Sequence, residues 1–282
     1  MTRSGPAATQ PAPTRMVSGM GRLHLIEFHE QDWFPAPIRN GLRAVLQKIS
    51  STLPGYEAIT EVLLEAMAAS GSTSVLDLCA GAGGPWVRLA PRLAEDPRIE
   101  QVLLTDLFPD MEAMEAMQSE TAGLVRPHAE SVDALAVPPQ LPGFRTVLAA
   151  FHHFEPERAR ALLANAVAAG EGVGIFELTE RSAYCTAFVG LNTIPLSLAL
   201  SPFIRPRRWS HLALTYLLPL VPATITFDGI VSCLRTYKPD ELLAMAREVG
   251  PDYEWQAGRV RAPWSPLWVV YLVGVPPRTT GH

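Results

Sequence analysis

The sequence predicts an α/β protein with a doubly wound, mainly parallel seven-stranded sheet, N-terminal helices and a helical insertion after strand five. Three observations predict this class. Short apolar segments alternate along the chain with segments of helical spacing. The segment Ser74–Trp86 (SVLDLCAGAGGPW) runs from an apolar strand into a helix through a cluster of glycines, which is typical of a parallel βα unit. Two apolar segments, Tyr253–Val260 and Leu267–Val275, follow each other without a helix and predict a final antiparallel pair.

Length and composition agree with this fold class and exclude several classes of function. The chain has 282 residues, 48% of them hydrophobic, so it can bury one large core. A formal net charge of −5 without a basic tract argues against a nucleic-acid partner. The N-terminus carries no apolar segment typical of a signal peptide, and the three cysteines show no metal-binding spacing. We therefore expect a cytoplasmic protein with reduced thiols and no metal site.

The organisation expected along the chain has six parts. They are a disordered tail (1–20), an N-terminal helical cap (21–73), a ligand-binding core (74–181), a hydrophobic helical insertion (182–236), the end of the core (237–275) and a tail (276–282).

Two amphipathic segments in the cap, Pro37–Ile49 and Tyr56–Ala69, have the apolar spacing of one helical face. The segment before them, Glu27–Pro35 (EFHEQDWFP), is dense in polar and aromatic side chains. It is either a lid that brings His29, Glu30, Trp33 and Phe34 over a ligand, or a surface loop anchored by its two aromatic residues.

The glycine cluster after the first strand indicates a binding site. Gly81, Gly83 and Gly84 let the backbone approach a ligand closely, and the helix that follows offers free N–H groups at its start. A second apolar strand, Gln101–Asp106, ends in a carboxylate about 20–25 residues beyond the glycines, where such a group can bind a ribose. Together these features predict a nucleoside pocket.

Spacing within the glycine cluster separates two classes of nucleoside pocket. A dinucleotide-binding G-x-G-x-x-G loop needs a third glycine where this chain has Trp86. Asp77 instead precedes Gly81 by four residues. In this respect the segment resembles the first motif of class I S-adenosylmethionine-dependent methyltransferases, with Cys79 in place of that motif's first glycine. The resemblance implies a Rossmann-like core and S-adenosyl-L-methionine as the methyl donor.

Later segments resemble the same family in the same order. His128–Pro138 resembles its third motif, and Phe144–Phe154 resembles its fourth-strand motif. The resemblance implies that Asp106 holds the ribose, that Asp133 binds the adenine, and that Asp77 orients the glycine loop and the donor's amino group. The cofactor-binding residues it implies are Asp77, Cys79, Gly81, Gly83, Asp106, Leu107, Asp133, Ala134 and Phe151.

The elements between these motifs complete the predicted sheet. Helices are predicted over Met111–Thr121 and Pro156–Ala169, and a fifth strand over Gly172–Glu177. A helix over Lys238–Val249 begins with a proline and two acidic residues, as expected for a first turn.

Candidate catalytic residues lie at the carboxyl ends of strands four and five. His152 and His153 end the fourth strand, at the edge of the sheet where open α/β folds place ligands. Because histidine titrates near neutral pH, either residue could remove a proton from a hydroxyl or amine acceptor. The alternative is that one packs under the cap and the other bonds to a backbone carbonyl. Glu177 is the second candidate, which either holds an acceptor amine or stays solvated.

Candidate acceptor contacts come from outside the motifs. If the acceptor is an alkene, aromatic faces would stabilise the cation that forms, and Trp33, Phe34, Phe151 and Tyr216 could supply them. The substrate-binding candidates are Trp33, Phe34, Tyr216 and Asp228.

The insertion is the least ordinary region of the sequence. Two uncharged stretches, Ser182–Ile204 and His211–Phe227, flank a cluster of Arg205, Arg207 and Arg208. Their length makes them transmembrane candidates, but prolines interrupt both. The favoured interpretation is a helical cap over the substrate mouth, apolar because it packs on the core. Docking on a membrane surface, a homodimer interface and a membrane span stay open as alternatives.

These observations predict an enzyme, an S-adenosylmethionine-dependent methyltransferase that acts on a small, rather apolar or specialised-metabolite acceptor. They leave O-, N- and C-methylation open. Two other classes remain as alternatives. One is a non-catalytic nucleoside-binding scaffold that associates with a membrane through the insertion, and the other is an NAD-dependent oxidoreductase.

Overall fold

The computed structural model of the chain describes residues 21–262 and 265–277. The predicted disordered tail 1–20 and residues 278–282 lie outside the described residues. The strands are β1 (Ser74–Leu78), β2 (Gln101–Leu104), β3 (Val125–Pro127), β4 (Phe144–Leu148), β5 (Val173–Glu177), β6 (Glu254–Arg261) and β7 (Trp268–Val275). The α-helices are α1 (Ala36–Thr52), α2 (Thr60–Ser70), α3 (Trp86–Leu93), α4 (Met111–Glu120), α5 (Pro156–Ala168), α6 (Ala183–Leu200), α7 (Trp209–Leu212), α8 (Leu220–Arg235) and α9 (Pro239–Val249).

The seven strands form one sheet in the order β3-β2-β1-β4-β5-β7-β6. Strands β1 to β5 pair in parallel, and β7 runs antiparallel to both β5 and β6. Both β4 and β5 are buried along their whole length, as expected for parallel strands that are covered on both faces. The predicted doubly wound, Rossmann-like sheet with a final antiparallel pair is confirmed.

Helices cover the sheet on both faces, and each face has its own apolar core. One core joins α2, α3 and α4 to the sheet, with Leu63, Trp86 and Met114 fully buried. The other joins α5 and α9 to the opposite face through Leu162 and Leu242. This two-sided packing leaves the carboxyl ends of the parallel strands at a free edge of the sheet, where open α/β folds bind ligands.

The N-terminal cap is helical, as predicted, and it packs on the insertion. Leu42 and Val45 of α1 form a third apolar cluster with Val221 and Ile225 of α8. The helix α8 therefore belongs to the globular body of the protein.

Helix α6 contradicts the expectation that the insertion is apolar because it packs on the core. It packs against α8 and α1, and only 11% of its apolar window is buried. The segment Ala183–Phe203 is long and apolar enough to cross a membrane. The segment Trp209–Leu217 and α8 form a second apolar pair, bent by 75°. The apolar character of this region is therefore directed largely towards the outside of the protein.

Candidate functional site

The candidate site lies where β1, β2, β4 and β5 end. It has two parts, which we call the glycine side, after β1 and β2, and the histidine side, after β4 and β5.

The loop after β1 has the backbone of a binding loop. Cys79, Gly81 and Gly83 have positive φ angles of 57°, 53° and 68°. Only Cys79 carries a side chain in this left-handed region, which costs a non-glycine residue about 1–2 kcal/mol. Burial raises the pKa of the Cys79 thiol to about 12, so the thiol is neutral at pH 7. The space in front of Gly81 is open, because a Cβ atom added there would meet no atom within 4 Å.

Asp106 faces this loop from the end of β2. Its Oδ2 accepts a hydrogen bond from the Gly81 N–H at 2.8 Å, and its Oδ1 accepts one from the Phe108 N–H at 2.9 Å. Each carboxylate oxygen has a second lone pair, so Asp106 can still accept hydrogen bonds from a ligand. Because one side chain joins the two strand ends, the pocket edge is held in place before any ligand binds.

The segment after β3 forms the next wall of the glycine side. The Val132 N–H donates to the Asp106 carbonyl at 2.9 Å, and the Ser131 hydroxyl donates to the Leu107 carbonyl at 2.7 Å. Asp133 is exposed beside them, and its Oδ1 accepts from the Leu135 N–H. The structure thus brings Asp106, Leu107 and Asp133 together with the glycine loop. Ala134 is buried directly behind them.

Asp77 lies beneath the glycine loop. It is buried, and its carboxylate accepts hydrogen bonds from the Trp86 indole at 2.7 Å and from the Thr146 hydroxyl at 2.6 Å. Burial raises the pKa of Asp77 to about 7. With both oxygens engaged inside the core, Asp77 is placed to support the loop rather than to contact a ligand's amino group.

The structure differs from the sequence prediction at Phe151. This side chain has no exposed surface and packs against Phe154 and Tyr237 in the core under the sheet edge. It follows a sharp turn at Ala149, whose φ of 54° redirects the chain after β4. Phe151 therefore supports the site from below, and the expectation that it lines the cofactor or acceptor pocket is wrong.

On the histidine side, His152 and Glu177 form a buried pair. The Nδ1 of His152 lies 2.9 Å from Glu177 Oε2, and the His152 backbone N–H donates to Oε1 at 3.0 Å. Burial lowers the pKa of His152, but Glu177 and then Glu27 outweigh it, so the net shift is upward. The pair with Glu177 thus favours the cationic form of His152. Glu177 is engaged in fixing it, which corrects the expectation that Glu177 could stay solvated.

His153 has the opposite character. Its side chain is 28% exposed, and its Nδ1 lies 2.6 Å from Glu30 Oε1. Burial, followed by the charge of His152, lowers the pKa of His153, and the carboxylates around it only partly offset this. Since Glu30 can only accept, Nδ1 carries the proton and Nε2 has a free lone pair. Of the two histidines, His153 is therefore the one suited to act as a base at neutral pH.

Arg235 connects the acidic groups around these histidines. Its guanidinium donates to both oxygens of Glu30, at 2.8 and 2.9 Å, and lies 3.3 Å from Glu27. These contacts and the one from His153 lower the pKa of Glu30 although burial opposes the shift. Arg235 itself is almost fully buried at the end of α8.

The Glu27–Pro35 segment covers the histidine side, which agrees with the lid interpretation. Asp228 of α8 accepts from the backbone N–H groups of Phe28 and His29 at 2.9 and 3.2 Å, and lies 3.0 Å from His29 Nδ1. Arg22 donates to the carbonyls of His152 and Phe154. Asp228 is buried, so it positions the lid, and the expectation that it contacts the substrate is wrong.

The side chains of the other predicted acceptor contacts take no part in this hydrogen-bond network. Trp33 and Phe34 form an aromatic cluster with Phe28, in which Trp33 remains largely exposed. The hydroxyl of Tyr216 donates to the Leu198 carbonyl of α6, and so connects two parts of the insertion. The structure does not bring Tyr216 together with the histidines.

Glu27, His29 and His153 have ligand atoms within 4.8 Å of one another, close enough to hold a metal ion. Arg235 already supplies a positive charge to this cluster, since it lies against Glu27 and 3.4 Å from His153 Nδ1. A metal ion would therefore bind against the repulsion of a fixed guanidinium.

Sequence reasoning missed Glu27, Arg22 and Arg235 as members of the site. The polar density of the Glu27–Pro35 segment was a signal for the first. Nothing local marks Arg235, because it is more than 200 residues from the glutamates it binds. Only the packing of α8 against the lid shows the connection.

Neither a family model nor a curated protein sequence matches the chain. Solved structures do. The O-methyltransferase NcsB1 from neocarzinostatin biosynthesis aligns with a TM-score of 0.49 and 13% identity, over 86% of this chain and 59% of its own.

Human N-acetylserotonin methyltransferase aligns with a TM-score of 0.47 and 12% identity, over 86% of this chain and 56% of its own. A Rhodobacter sphaeroides protein named as a zinc-dependent alcohol dehydrogenase also has a TM-score of 0.47, at 15% identity, over 84% of this chain and 98% of its own. The chain thus spans less than two thirds of the two methyltransferases. The likeness is to the fold, so function has to be inferred from this chain's own residues.

Proposed function

We propose that this protein is a methyltransferase that uses S-adenosyl-L-methionine and acts on a small molecule. The observation that carries the proposal is the joining of Asp106 to the left-handed loop at Gly81, with Asp133 exposed beside it. This arrangement offers a carboxylate for ribose hydroxyls, a carboxylate for an exocyclic amine and an open glycine surface. The proposed cytoplasmic location rests on composition alone.

The residues present fit the donor. Asp106 would hold the ribose, Asp133 would face the adenine, and Gly81 and Gly83 would let the methionine end approach the backbone. Asp77 would keep this loop in shape from beneath, through Trp86 and Thr146. When bound, the donor supplies a methyl group already activated by a sulfonium.

The remaining requirements are alignment of the acceptor, exclusion of water and, for a hydroxyl or amine, removal of a proton. His153 fits the last role. Its lowered pKa keeps it neutral, and Glu30 fixes the tautomer that leaves Nε2 free. Arg235 holds Glu30 in place, and the buried His152–Glu177 pair supports the turn that carries both histidines. Oxygen and nitrogen acceptors both suit this arrangement.

Calorimetric titration with S-adenosylhomocysteine, in parallel with NAD, tests the proposal. We expect binding of S-adenosylhomocysteine and none of NAD, because Trp86 stands where a dinucleotide loop needs glycine. In Asp106→Ala the affinity should fall by about 10- to 100-fold, since hydrogen bonds to a charged group contribute about 1.5–3 kcal/mol. Asp110→Ala, which removes another exposed carboxylate of the same loop, is the matched control. Undiminished affinity in Asp106→Ala would overturn the donor site.

The role of His153 needs a turnover assay with an acceptor from a screen of phenols, carboxylic acids and amines. His153→Gln should lower kcat by about 100-fold or more, the usual contribution of a positioned base. Donor affinity should stay unchanged, because the polar partners of the His153 side chain in the described residues are Glu27, Glu30 and Arg235, all on the histidine side. No turnover with any acceptor, despite tight donor binding, would favour the non-catalytic scaffold.

A further inference from the structure

More than half of the large exposed apolar side chains in the described part of the chain belong to the insertion. Six of these ten side chains lie between Phe203 and Leu220, in the part of the insertion that connects α6 to α8. Phe203 and Trp209 stand on either side of Arg205, Arg207 and Arg208, all of them exposed, and Trp209 is 86% exposed. Leu217 and Leu218 are exposed in the turn before α8. We call these seven residues the docking face.

One hydrogen bond brings the two halves of the docking face together. The Tyr216 hydroxyl donates to the carbonyl of Leu198, in the last turns of α6. The turn with Leu217 and Leu218 is therefore held beside the end of α6, five residues before Phe203 in the sequence. The result is a compact tip of aromatic and aliphatic side chains with arginines among them.

Charge is distributed unequally between this region and the rest of the protein. From Ser182 to Phe227 the charged side chains are the three arginines, and α1, which packs on α6 to α8, adds Arg39, Arg43 and Lys48 without an acidic residue. The whole chain nevertheless has a net charge of −5. Because Asp228 of α8 is buried, the exposed charges of this region are basic, and such a region on an acidic protein is complementary to an anionic surface.

We propose that the docking face binds the surface of a membrane that contains anionic phospholipids. Tryptophan and phenylalanine suit the interface between headgroups and acyl chains, leucine suits the acyl region, and arginine pairs with phosphate oxygens. This proposal does not depend on the proposed function.

The packing of α6 favours docking on the surface over crossing the membrane. Val189 packs where Gly229 lets α8 approach, and the thiols of Cys185 and Cys233 are 3.7 Å apart. Helix α8 in turn carries Asp228 and Arg235 into the buried network of the site. To span a bilayer, α6 would have to leave α8 or take these ionic groups with it, at several kcal/mol for each charge.

Vesicle flotation of the full chain tests the proposal. We expect it to float with vesicles of phosphatidylcholine mixed with phosphatidylglycerol, much less with pure phosphatidylcholine, and to be released by salt. The triple change Arg205→Ala, Arg207→Ala and Arg208→Ala should weaken binding on the order of 100-fold, because each arginine near an anionic surface contributes about 1 kcal/mol. The matched control, with the same change of charge, is Arg92→Ala, Arg126→Ala and Arg247→Ala, at exposed positions outside the insertion.

Quenching of tryptophan fluorescence by brominated lipid gives a second measurement. Trp209→Phe should remove most of the quenching, and Trp268→Phe, at a half-exposed tryptophan on β7, should not. Both variants should bind S-adenosylhomocysteine like the unchanged protein, because the docking face and the site lie at opposite ends of α8, a helix of 16 residues that is about 24 Å long.

Three outcomes would overturn the proposal. The first is equal binding by the two triple variants. The second is attachment that resists salt and alkaline carbonate, which would show a span. The third is no binding to either vesicle together with a concentration-dependent dimer that the arginine changes leave intact, which would assign the apolar surface to a second copy of the chain.

Discussion

The glycine side and the histidine side lie at the same edge of one sheet but are built in opposite ways. On the glycine side, Asp106 and Asp133 are accessible, their partners are backbone N–H groups, and lone pairs remain for a ligand. On the histidine side, Glu27, Glu177 and Arg235 are buried. Glu177 accepts a hydrogen bond from His152, and Arg235 forms an ion pair with Glu27. The first is a surface prepared to receive a ligand. The second is a charged network completed by the protein itself.

The residues on the two sides therefore contribute to different properties, ligand affinity on one side and folding stability on the other. A carboxylate that bonds only to backbone groups can be removed with little loss of folding free energy, whereas removing one member of a buried ionic network leaves its partners uncompensated. Changes at the accessible carboxylates Asp106 and Asp133 should therefore act on affinity, and changes in the buried network of the histidine side should act first on stability.

The largest expected effect on stability is that of Arg235→Met. It leaves Glu27 and Glu30 without their cation, and the free energy of unfolding should fall by about 3–5 kcal/mol. Urea denaturation followed by circular dichroism measures it. Arg247→Met, at an exposed arginine of α9, is the control and should cost under about 0.5 kcal/mol. A loss below about 1 kcal/mol in Arg235→Met would break the contrast between the two sides.

Two glycine substitutions compare the stability cost at a packed position and at an open position of the glycine side. Gly83→Ala places a Cβ 2.8 Å from Leu104, at a φ of 68°, and should cost about 2–4 kcal/mol from strain and overpacking. Gly81→Ala meets open space at a φ of 53° and should cost about 1–2 kcal/mol. Gly81→Ala should nevertheless weaken the binding of S-adenosylhomocysteine by more than its loss of stability suggests. Equal stability losses in the two variants would contradict this reading of the loop.

Asp77 makes the stability of the glycine side depend on pH. Its pKa is raised from its ordinary value to about 7, so the folded state holds this proton while the unfolded state has released it. Its contribution is therefore present below about pH 4 and is lost as the pH rises to about 7. Asp77→Asn should remove this decline and gain about 1–2 kcal/mol at pH 8, with little effect at pH 4. A variant less stable than the unchanged protein at pH 8 would show that Asp77 is stabilised as an anion.

The smallest effect expected is the opposed titration of the two histidines. The raised pKa of His152 stabilises the fold below the ordinary value near 6.5, and this is lost as the pH rises through the folded pKa. The lowered pKa of His153 works in reverse, so its contribution is lost as the pH falls below about 6.5. His152→Gln should flatten the stability profile above that pH and His153→Gln should flatten it below that pH. The same flattening in both variants would show that the histidines titrate as one unit.

The fold and the glycine side could be predicted from sequence for a physical reason. A strand that ends in glycines and a carboxylate one βα unit later are local patterns, so Gly81, Gly83 and Asp106 could be placed together without coordinates. Adjacent strand ends also brought His152 and Glu177 together. The pairing of Arg235 with Glu27 could not be predicted from sequence, since it depends on a helix that packs against a distant segment.

The insertion shows the limit of hydrophobicity as a guide to burial. Helix α6 is apolar on all sides, which is equally consistent with a helix in a core and with one facing lipid. Its one buried face is narrow, with Cys185 and Ser197 as its buried residues. Composition shows that the surface of α6 prefers an apolar environment, but it does not show whether protein or lipid provides that environment.

Trp86 gives the molecule a built-in optical probe. Its indole is wholly buried and donates to a carboxyl group that titrates near pH 7, directly under the loop at Gly81. Ionisation of that group changes the electric field across the ring, so the emission of this one tryptophan should follow both the proton and the ligand above it. Trp86 occupies the position of a glycine in dinucleotide-binding loops. Its fluorescence should thus report whether the site is occupied, without an added label.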